Sequence, residues 1–353
     1  MDELPLVSVI LITYNQEEFI RKAIEGALNQ NTEFKFELVV GDDCSTDNNI
    51  RIIDEYAQAY PDIIRFNKSE SNVGLNENFL KTFRLCRGKY IAYLEGDDCW
   101  VDMNKLQRQI DILEARPEVS LVHTNCKLWE VDSGKIINQF IPDLGVCVRE
   151  VTFGVESVIA EFEGKMRPIK TSTCCYRTGL LRKIIDADEY AYCNKEFPTQ
   201  DFQLFQDMGM EGVFAYINDD TTVIGNHVSL SSGGDNRKKM QFHLGCYKIG
   251  LHYINKYNLP QSTIQIWMSR KIHYFMNNCF LLNDKYTAIY VINEALKYNY
   301  RISVRQKCLY LGVRNPSIRF VILPFYHLYI KRFTRSDNSF KDIDIRSNNS
   351  YVL

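Results

Sequence analysis

No stretch of the 353 residues carries the roughly 18 uninterrupted apolar positions of a membrane-spanning helix. The nearest, 320–330, is short and contains Pro324 and His327. The opening MDELPLVSVI lacks a basic segment followed by an apolar core and a cleavage site, so no leader is expected. The 11 cysteines are odd in number and include no CxxC pair, which points to reduced thiols and a cytoplasmic setting rather than a disulfide framework or a zinc site. Neither sign of charge dominates, with a formal net charge of -2, so nothing suggests a nucleic-acid partner or acidic disorder. A dinucleotide-dependent dehydrogenase would place GxGxxG after the first apolar run. Residues 13–18 there read Thr-Tyr-Asn-Gln-Glu-Glu, which also excludes the Gly-rich basic loop of a nucleotidyltransferase. No Ser-His-Asp or Cys-His arrangement stands out, and there is no internal repeat. What remains is 45% apolar and 24% charged, enough for one large domain or two ordinary ones.

The order of patterns is informative. Residues 6–12 (LVSVILI) are nearly continuous β-branched and apolar sequence, the mark of a strand buried on both faces of a parallel sheet. A helix over 16–28 aligns Phe19, Ile20, Ala23, Ile24, Ala27 and Leu28 on one stripe. Strands at 36–40, 63–66 and 90–94 alternate with helices at 50–60 and from about 75 to 86. Four strand–helix alternations with short connections predict βαβ units, hence an α/β fold with a mostly parallel, Rossmann-like sheet flanked by helices. Further on, the pattern predicts a helix at 103–115, a strand at 119–123, loops and hairpins over 126–163, a strand at 171–177, helices at 179–187 and 202–208, and a strand at 213–217. Residues 230–235 read as a loop, and the period from 238 to 300 is helical.

The chemistry gathers at strand ends. The run at 90–94 is followed at once by Glu95, Gly96, Asp97 and Asp98, and the strand at 36–40 by Gly41, Asp42 and Asp43. In an open α/β sheet, ligands bind beyond the carboxyl ends of the strands. Acids crowded on a tight turn repel unless a cation lies between them, and hard oxygen ligands suit Mg²⁺ or Mn²⁺ bridging to a substrate phosphate. Gly-Asp-Asp taken alone also reads as a plain turn.

Together, VSVILITYNQEEFIRKAIEGALNQ, ELVVGDDCSTDNN and NVGLNENFLKTFRLCRGKYIAYLEGDDCW resemble the family-two inverting glycosyltransferases of the GT-A fold. Those are nucleotide-sugar-dependent enzymes of bacterial surface polysaccharide synthesis, and the likeness covers roughly 6–227. The resemblance implies Thr13 and Asn15 on the floor of the nucleotide pocket. It implies Asp43 as acceptor from a pyrimidine N3–H, favouring a uridine donor, Asp97 near the ribose and first phosphate, and Asp98 as ligand of a Mn²⁺ or Mg²⁺ ion. Glu95 stands where the family often has Asp, which leaves metal ligation mainly with Asp98. Asp201, after Gln200 in place of an acid, matches the catalytic base, and His227 falls near a family histidine whose Tyr-Arg neighbours are missing here.

Plainer readings stand beside these. Asp201 is also placed to cap a helix, His227 to be a structural histidine, Asp42 and Asp47 to organise a turn, and Trp100 either to stack on an acceptor sugar or to anchor the core. The interval 301–335 holds eight Lys or Arg residues and no Asp or Glu, interleaved with aromatics. It fits a segment on an anionic membrane surface or a terminal helix pair packed on its own domain. The expected organisation is a nucleotide-sugar-binding and catalytic domain over 1–235, a helical C-terminal region over 236–335 and a polar tail over 336–353. The expected activity is transfer of a sugar from a nucleotide donor to a saccharide or lipid-linked acceptor, in the cytoplasm or at the inner face of the cell membrane. The rival is a non-catalytic nucleotide- or glycan-binding scaffold.

Overall fold

The computed structural model describes residues 4–130, 135–137, 151–165, 169–226 and 235–336. The position 227 and most of 230–235 lie outside the described residues, as does the tail beyond 336. The chain divides into two compact units, residues 1–158 with 169–227, and residues 159–168 with 228–353.

The first unit opens with β1 (Val7–Thr13), α1 (Ile20–Leu28), β2 (Phe36–Asp42), α2 (Asn49–Ala59), β3 (Ile64–Lys68), α3 (Leu75–Leu85) and β4 (Tyr90–Glu95). Every residue of β1 is buried, as its unbroken apolar run requires of a strand covered on both faces. It pairs in parallel with β2 and with β4, Val7 opposite Phe36 on one side and Tyr90 on the other. Ile20, Ala23, Ile24 and Ala27 of α1 pack with Val9, Leu11, Leu38 and Leu94 in one core. Gly41 lets α3 approach β2 closely, since a Cβ there would lie 1.9 Å from Thr82 Oγ1.

Then come β5 (Cys99–Trp100), α4 (Lys105–Ala115), β6 (Val119–Glu130), β7 (Lys135–Ile137), β8 (Val151–Phe153) and α5 (Gly154–Phe162). After a 3-10 turn at Thr171–Thr173 follow β9 (Cys175–Arg177), α6 (Thr178–Ala187), α7 (Glu189–Cys193), α8 (Asp201–Glu211) and β10 (Val213–Asn226). Among the described residues the sheet has ten strands, in the order β3-β2-β1-β4-β9-β6-β10-β5, with β7 on β6 and β8 on β10. The parallel, doubly wound part is β3-β2-β1-β4. Beyond it the sheet is mixed, because β9 runs antiparallel to both β4 and β6 while β6 and β10 are parallel.

Two strands depart from their sequence pattern. β10 continues past Asn218-Asp219-Asp220, a turn-like tripeptide, because the ladder with β6 shifts register there and resumes at Thr222, a bulge rather than an end. Thr221 and Thr222 are buried, and the Thr221 and Thr124 hydroxyls meet at 2.6 Å. The predicted strand at 171–177 divides into the 3-10 turn and the short β9.

The second unit contains α9 (Asn236–Tyr257), α10 (Gln261–Leu282), α11 (Lys285–Lys297), α12 (Val304–Arg314) and α13 (Pro316–Ser336). The rings of Tyr247 and Trp267 stack at 5.2 Å between α9 and α10. Among the described residues no helix is long and apolar enough to cross a membrane.

Candidate functional site

The loops after β1 and β2 are tied together by side chains. Asp42 accepts from the Ser45 amide at 2.8 Å, the Ser45 hydroxyl at 2.6 Å and Asn49 Nδ2 at 2.7 Å. Asp47 accepts from the amides of Asn49 and Glu17, both at 3.0 Å. Both acids organise their turn, as one sequence reading expected. Thr13 Oγ1 donates to Gln16 Oε1 at 2.8 Å and accepts from Asn49 at 3.0 Å. Asn15 adopts a left-handed backbone, φ 52°, which asparagine tolerates better than most residues. Its side-chain oxygen accepts from the Thr46 amide at 2.8 Å. Asp43, 4% exposed, accepts from the Val73 amide at 2.7 Å and the Gly74 amide at 2.9 Å, one per oxygen. Each oxygen retains a lone pair for a further donor.

The second group of acids lies at the end of β4. Gly96 brings the turn against β1, since a Cβ there would sit 2.6 Å from Thr13 Oγ1 and 2.4 Å from Gln16 Oε1. The turn closes with the Asp98 amide donating to the Glu95 carbonyl at 3.0 Å. Ligand oxygens of Glu95, Asp97 and Asp98 all lie within 4.8 Å of one another. Glu95, where the sequence departs from the family pattern, therefore joins the cluster that the resemblance had left mainly to Asp98. Burial, and then the Asp97 charge, push Glu95 up to about 7. Burial, then Asp97 and Glu95, push Asp98 well above the usual carboxylate range. Three crowded hard-oxygen ligands, of which Glu95 and Asp98 are held against ionisation, form a donor set that fits Mg²⁺ or Mn²⁺.

The supporting residues came from a stretch the sequence reading took for strand. Thr171 donates its hydroxyl to Glu95 Oε1 at 2.5 Å, and Ser172 donates its own to Asp98 Oδ2 at 2.5 Å. The Ser172 oxygen also accepts from the Glu95 amide at 3.0 Å. From β10, the Gly225 amide donates to Asp98 Oδ1 at 3.0 Å. Lys170 is pushed below the usual lysine range by burial and drawn back up by Cys126, Asp98, Glu95 and Asp201, which places it beside the acids. No periodicity or motif marked Lys170, Thr171 or Ser172. Two adjacent hydroxyls beside a lysine would have been their only signal.

Asp201 is the first residue of α8, with Gln200 in the N-cap position and no side-chain cap bond. Asp201 therefore stands one residue inside the cap position. Its Oδ1 accepts from the Phe202 amide at 2.8 Å. Burial raises its proton affinity against the opposing pull of that amide and of Lys170. Beneath it, the Tyr93 hydroxyl donates to Gln200 Oε1 at 3.3 Å.

Trp100 resolves as a core anchor. It is 3% exposed, its Nε1 donates to the Ser172 carbonyl at 2.8 Å, and the Lys105 ammonium lies 4.4 Å from its ring. It is not available for stacking on an acceptor. A cavity of about 310 Å³ opens beside Asp97 and Asp98 and is lined by Phe19, Lys22, Cys99, Val101, Trp129 and Val223. All ten cysteines among the described residues are free. Burial pushes Cys86, Cys174 and Cys175 up to about 12, which makes them poor nucleophiles.

Comparison with known proteins bears on this geometry. The chain is 44% identical over 129 residues to an uncharacterized protein of Mycobacterium tuberculosis, covering 36% of this chain and 37% of that one. It is 30% identical over 156 residues to the putative glycosyltransferase EpsE of Bacillus subtilis, covering 43% of this chain and 55% of that one. The match thus spans about a third to a half of these relatives. Among solved structures, residues 1–349 of S. aureus TarS, in complex with UDP-GlcNAc, superpose with a TM-score of 0.56 at 18% identity, covering 87% of this chain and 79% of that one. At that identity the likeness shows the shared GT-A fold alone. The family model described as "Glycosyl transferase family 2" matches residues 8–186. The chain belongs to glycosyl transferase family 2.

Proposed function

We propose that the chain transfers a sugar from a nucleoside diphosphate donor, UDP-linked, to a hydroxyl of a saccharide or lipid-linked saccharide, with inversion at the anomeric carbon, in surface polysaccharide synthesis. The observation that carries this reading is the gathering of Glu95, Asp97 and Asp98 within 4.8 Å at the end of β4, in the charge field of Asp201 and Lys170. In this reading Thr13 and Asn15 floor the nucleotide pocket, and Asp43 accepts from the pyrimidine N3–H while the Val73 and Gly74 amides hold it in place. Asp97, in the same reading, serves near the ribose and first phosphate. Asp98, with Glu95 and Asp97 beside it, would hold Mn²⁺ or Mg²⁺. Such an ion supplies Lewis-acid stabilisation of the departing diphosphate when bound.

Asp201 acts as base, taking the acceptor hydroxyl proton as the oxygen attacks from the face opposite the diphosphate. Its raised proton affinity brings it closer to the operating pH, where general bases work best. No covalent intermediate is required. The role of His227 against the diphosphate or the ion belongs to the same reading, and its neighbour Gly225 binds Asp98.

The second reading, a binding scaffold without turnover, draws on Gln200 in place of an acid. Release of free nucleoside diphosphate from UDP-, GDP- and TDP-sugars, with Mn²⁺ or with EDTA, separates the two. The expected result is metal-dependent release from a UDP-sugar, abolished in Asp98→Ala. Metal-dependent UDP binding without release, even in the presence of saccharide acceptors, would favour the scaffold. Absence of both binding and release would refute the Asp43 and Asp98 assignments.

A further inference from the structure

We propose that the outward face of α12 and α13 docks on an anionic membrane surface, with the chain lying on the bilayer rather than crossing it. The helix α13 has two apolar faces. Its inward one is closed by packing within the helical unit: Tyr326 is 6% exposed, its ring stands 5.1 Å from that of Phe280 in α10, and its hydroxyl donates to Asn277 Oδ1 at 3.2 Å. α12 closes in the same way, with Leu309 and Val313 buried. A Cβ at Gly312 would fall 2.7 Å from the Phe280 ring.

The outward face is also apolar, yet open. Phe320, Val321 and Phe325 are 81%, 61% and 69% exposed, and helical spacing sets them along one side of α13. Val304 and Leu311 of α12 are exposed as well. Large apolar side chains left exposed along a helix in this way mark an interaction surface.

Charge selects the partner. Residues 301–335 contain eight Lys or Arg and no Asp or Glu, and Lys307 and Arg314 are exposed. Arg319 places its guanidinium 5.5 Å from the Phe280 ring and donates to the Leu281 carbonyl at 3.2 Å, so it serves the helix packing. A second copy of this chain would bring two such basic surfaces together, and they would repel. Anionic headgroups accept the cations while the acyl boundary accepts the phenyl rings, with each basic residue near the surface raising the partition about fivefold. Because no described helix can cross a bilayer, the contact is interfacial. It suits an acceptor that is itself held in a membrane, but does not depend on the donor assignment.

The test is co-sedimentation of the full chain with vesicles of phosphatidylcholine containing about a third phosphatidylglycerol, against phosphatidylcholine alone. UDP binding is measured in the same samples. Binding to the anionic vesicles alone is expected. It should fall at least about tenfold in high salt, and by a similar factor in the triple variant Phe320→Ser, Val321→Ser, Phe325→Ser. Those positions are exposed, so the variant should keep its circular dichroism and its UDP binding. Absence of anionic-vesicle binding, equal binding to neutral vesicles, or unchanged binding of the triple variant would overturn the proposal. So would a dimer in light scattering that the triple variant dissolves, which would assign the face to a second copy. Loss of UDP binding in the wild type bears on the donor reading instead.

Discussion

Replacing Glu95 with Gln should stabilise the metal-free protein near pH 8 and do so much less near pH 5. Glu95 keeps its proton in the folded state up to about 7, against 4.5 for the free side chain. Between those values the folded state binds more protons than the unfolded one, so the stability contributed by this group falls as pH rises through the window and stays lost above it. At about 1.4 kcal/mol for each tenfold in proton affinity, the ionised form is disfavoured by at most roughly 3 kcal/mol. Gln removes the charge while its amide oxygen can still accept from the Thr171 hydroxyl, which Glu95 Oε1 receives at 2.5 Å. For a unit of this size the gain corresponds to a melting temperature on the order of 5–10 °C higher. The assay is thermal unfolding of wild type and Glu95→Gln in EDTA across pH 5 to 8, repeated with Mn²⁺ at neutral pH. The difference between the variants reports Glu95 together with the relief that loss of its charge gives Asp98, which Glu95 pushes up in turn. Mn²⁺ should raise the melting temperature of the wild type more than that of the variant. If Glu95→Gln were no more stable than wild type near pH 8 in EDTA, the crowded, ionisation-resistant cluster would be wrong.

Other expectations follow from particular contacts. Ser172→Ala removes the hydroxyl on Asp98 Oδ2 and should weaken Mn²⁺ binding by about tenfold or more in calorimetry, with Ser172→Thr retaining most of it. Asp201→Asn should lower transfer about 10²–10⁴-fold while UDP affinity stays within a factor of about two. A parallel loss of UDP binding would instead point to a structural role. Gly41→Ala forces a methyl to within 1.9 Å of Thr82 Oγ1 and should destabilise by about 1–3 kcal/mol. Addition of Thr82→Ala should recover part of that loss in a denaturant-melt double-mutant cycle.

The parallel half of the sheet was legible because each of its strands is a self-contained local signal. Residues 7–13 are apolar at nearly every position, and the helices after them carry their own apolar stripes. The acids were legible for the same reason, since Glu95 to Asp98 directly follow a buried strand. What escaped depends on distant partners. Thr171-Ser172-Thr173 is followed by Cys174 and Cys175, a run as good for a strand as for a turn, and its hydroxyls matter only because β4 brings Glu95 and Asp98 to them. Asn218-Asp219-Asp220 reads as the end of a strand, and only pairing with β6 turns it into a bulge. Trp100 is equally fit in sequence for a sugar or for the core, and the Ser172 carbonyl on its indole nitrogen decides for the core. Gln200 departs from the family pattern in the sequence itself. That it, rather than Asp201, holds the cap position depends on where α8 begins.

The three residues of β9 stand between β4 and β6, and so stitch the strands that carry Glu95 to those that carry Gly225. Their partners are Ala92 to Tyr90 on one side and Leu121 and Val122 on the other, pairings that span some fifty to ninety positions of chain. Contacts of such long sequence separation form late in folding. Because β10 pairs with β6 across a still longer separation, Val213 with Val119, the seam and that pair should close in the same late phase, and the hydroxyls that precede β9 should reach the acids only then. A nascent or partly unfolded chain would then hold its carboxylates unsupported, and metal affinity would appear together with completed folding rather than with the first half of the sheet.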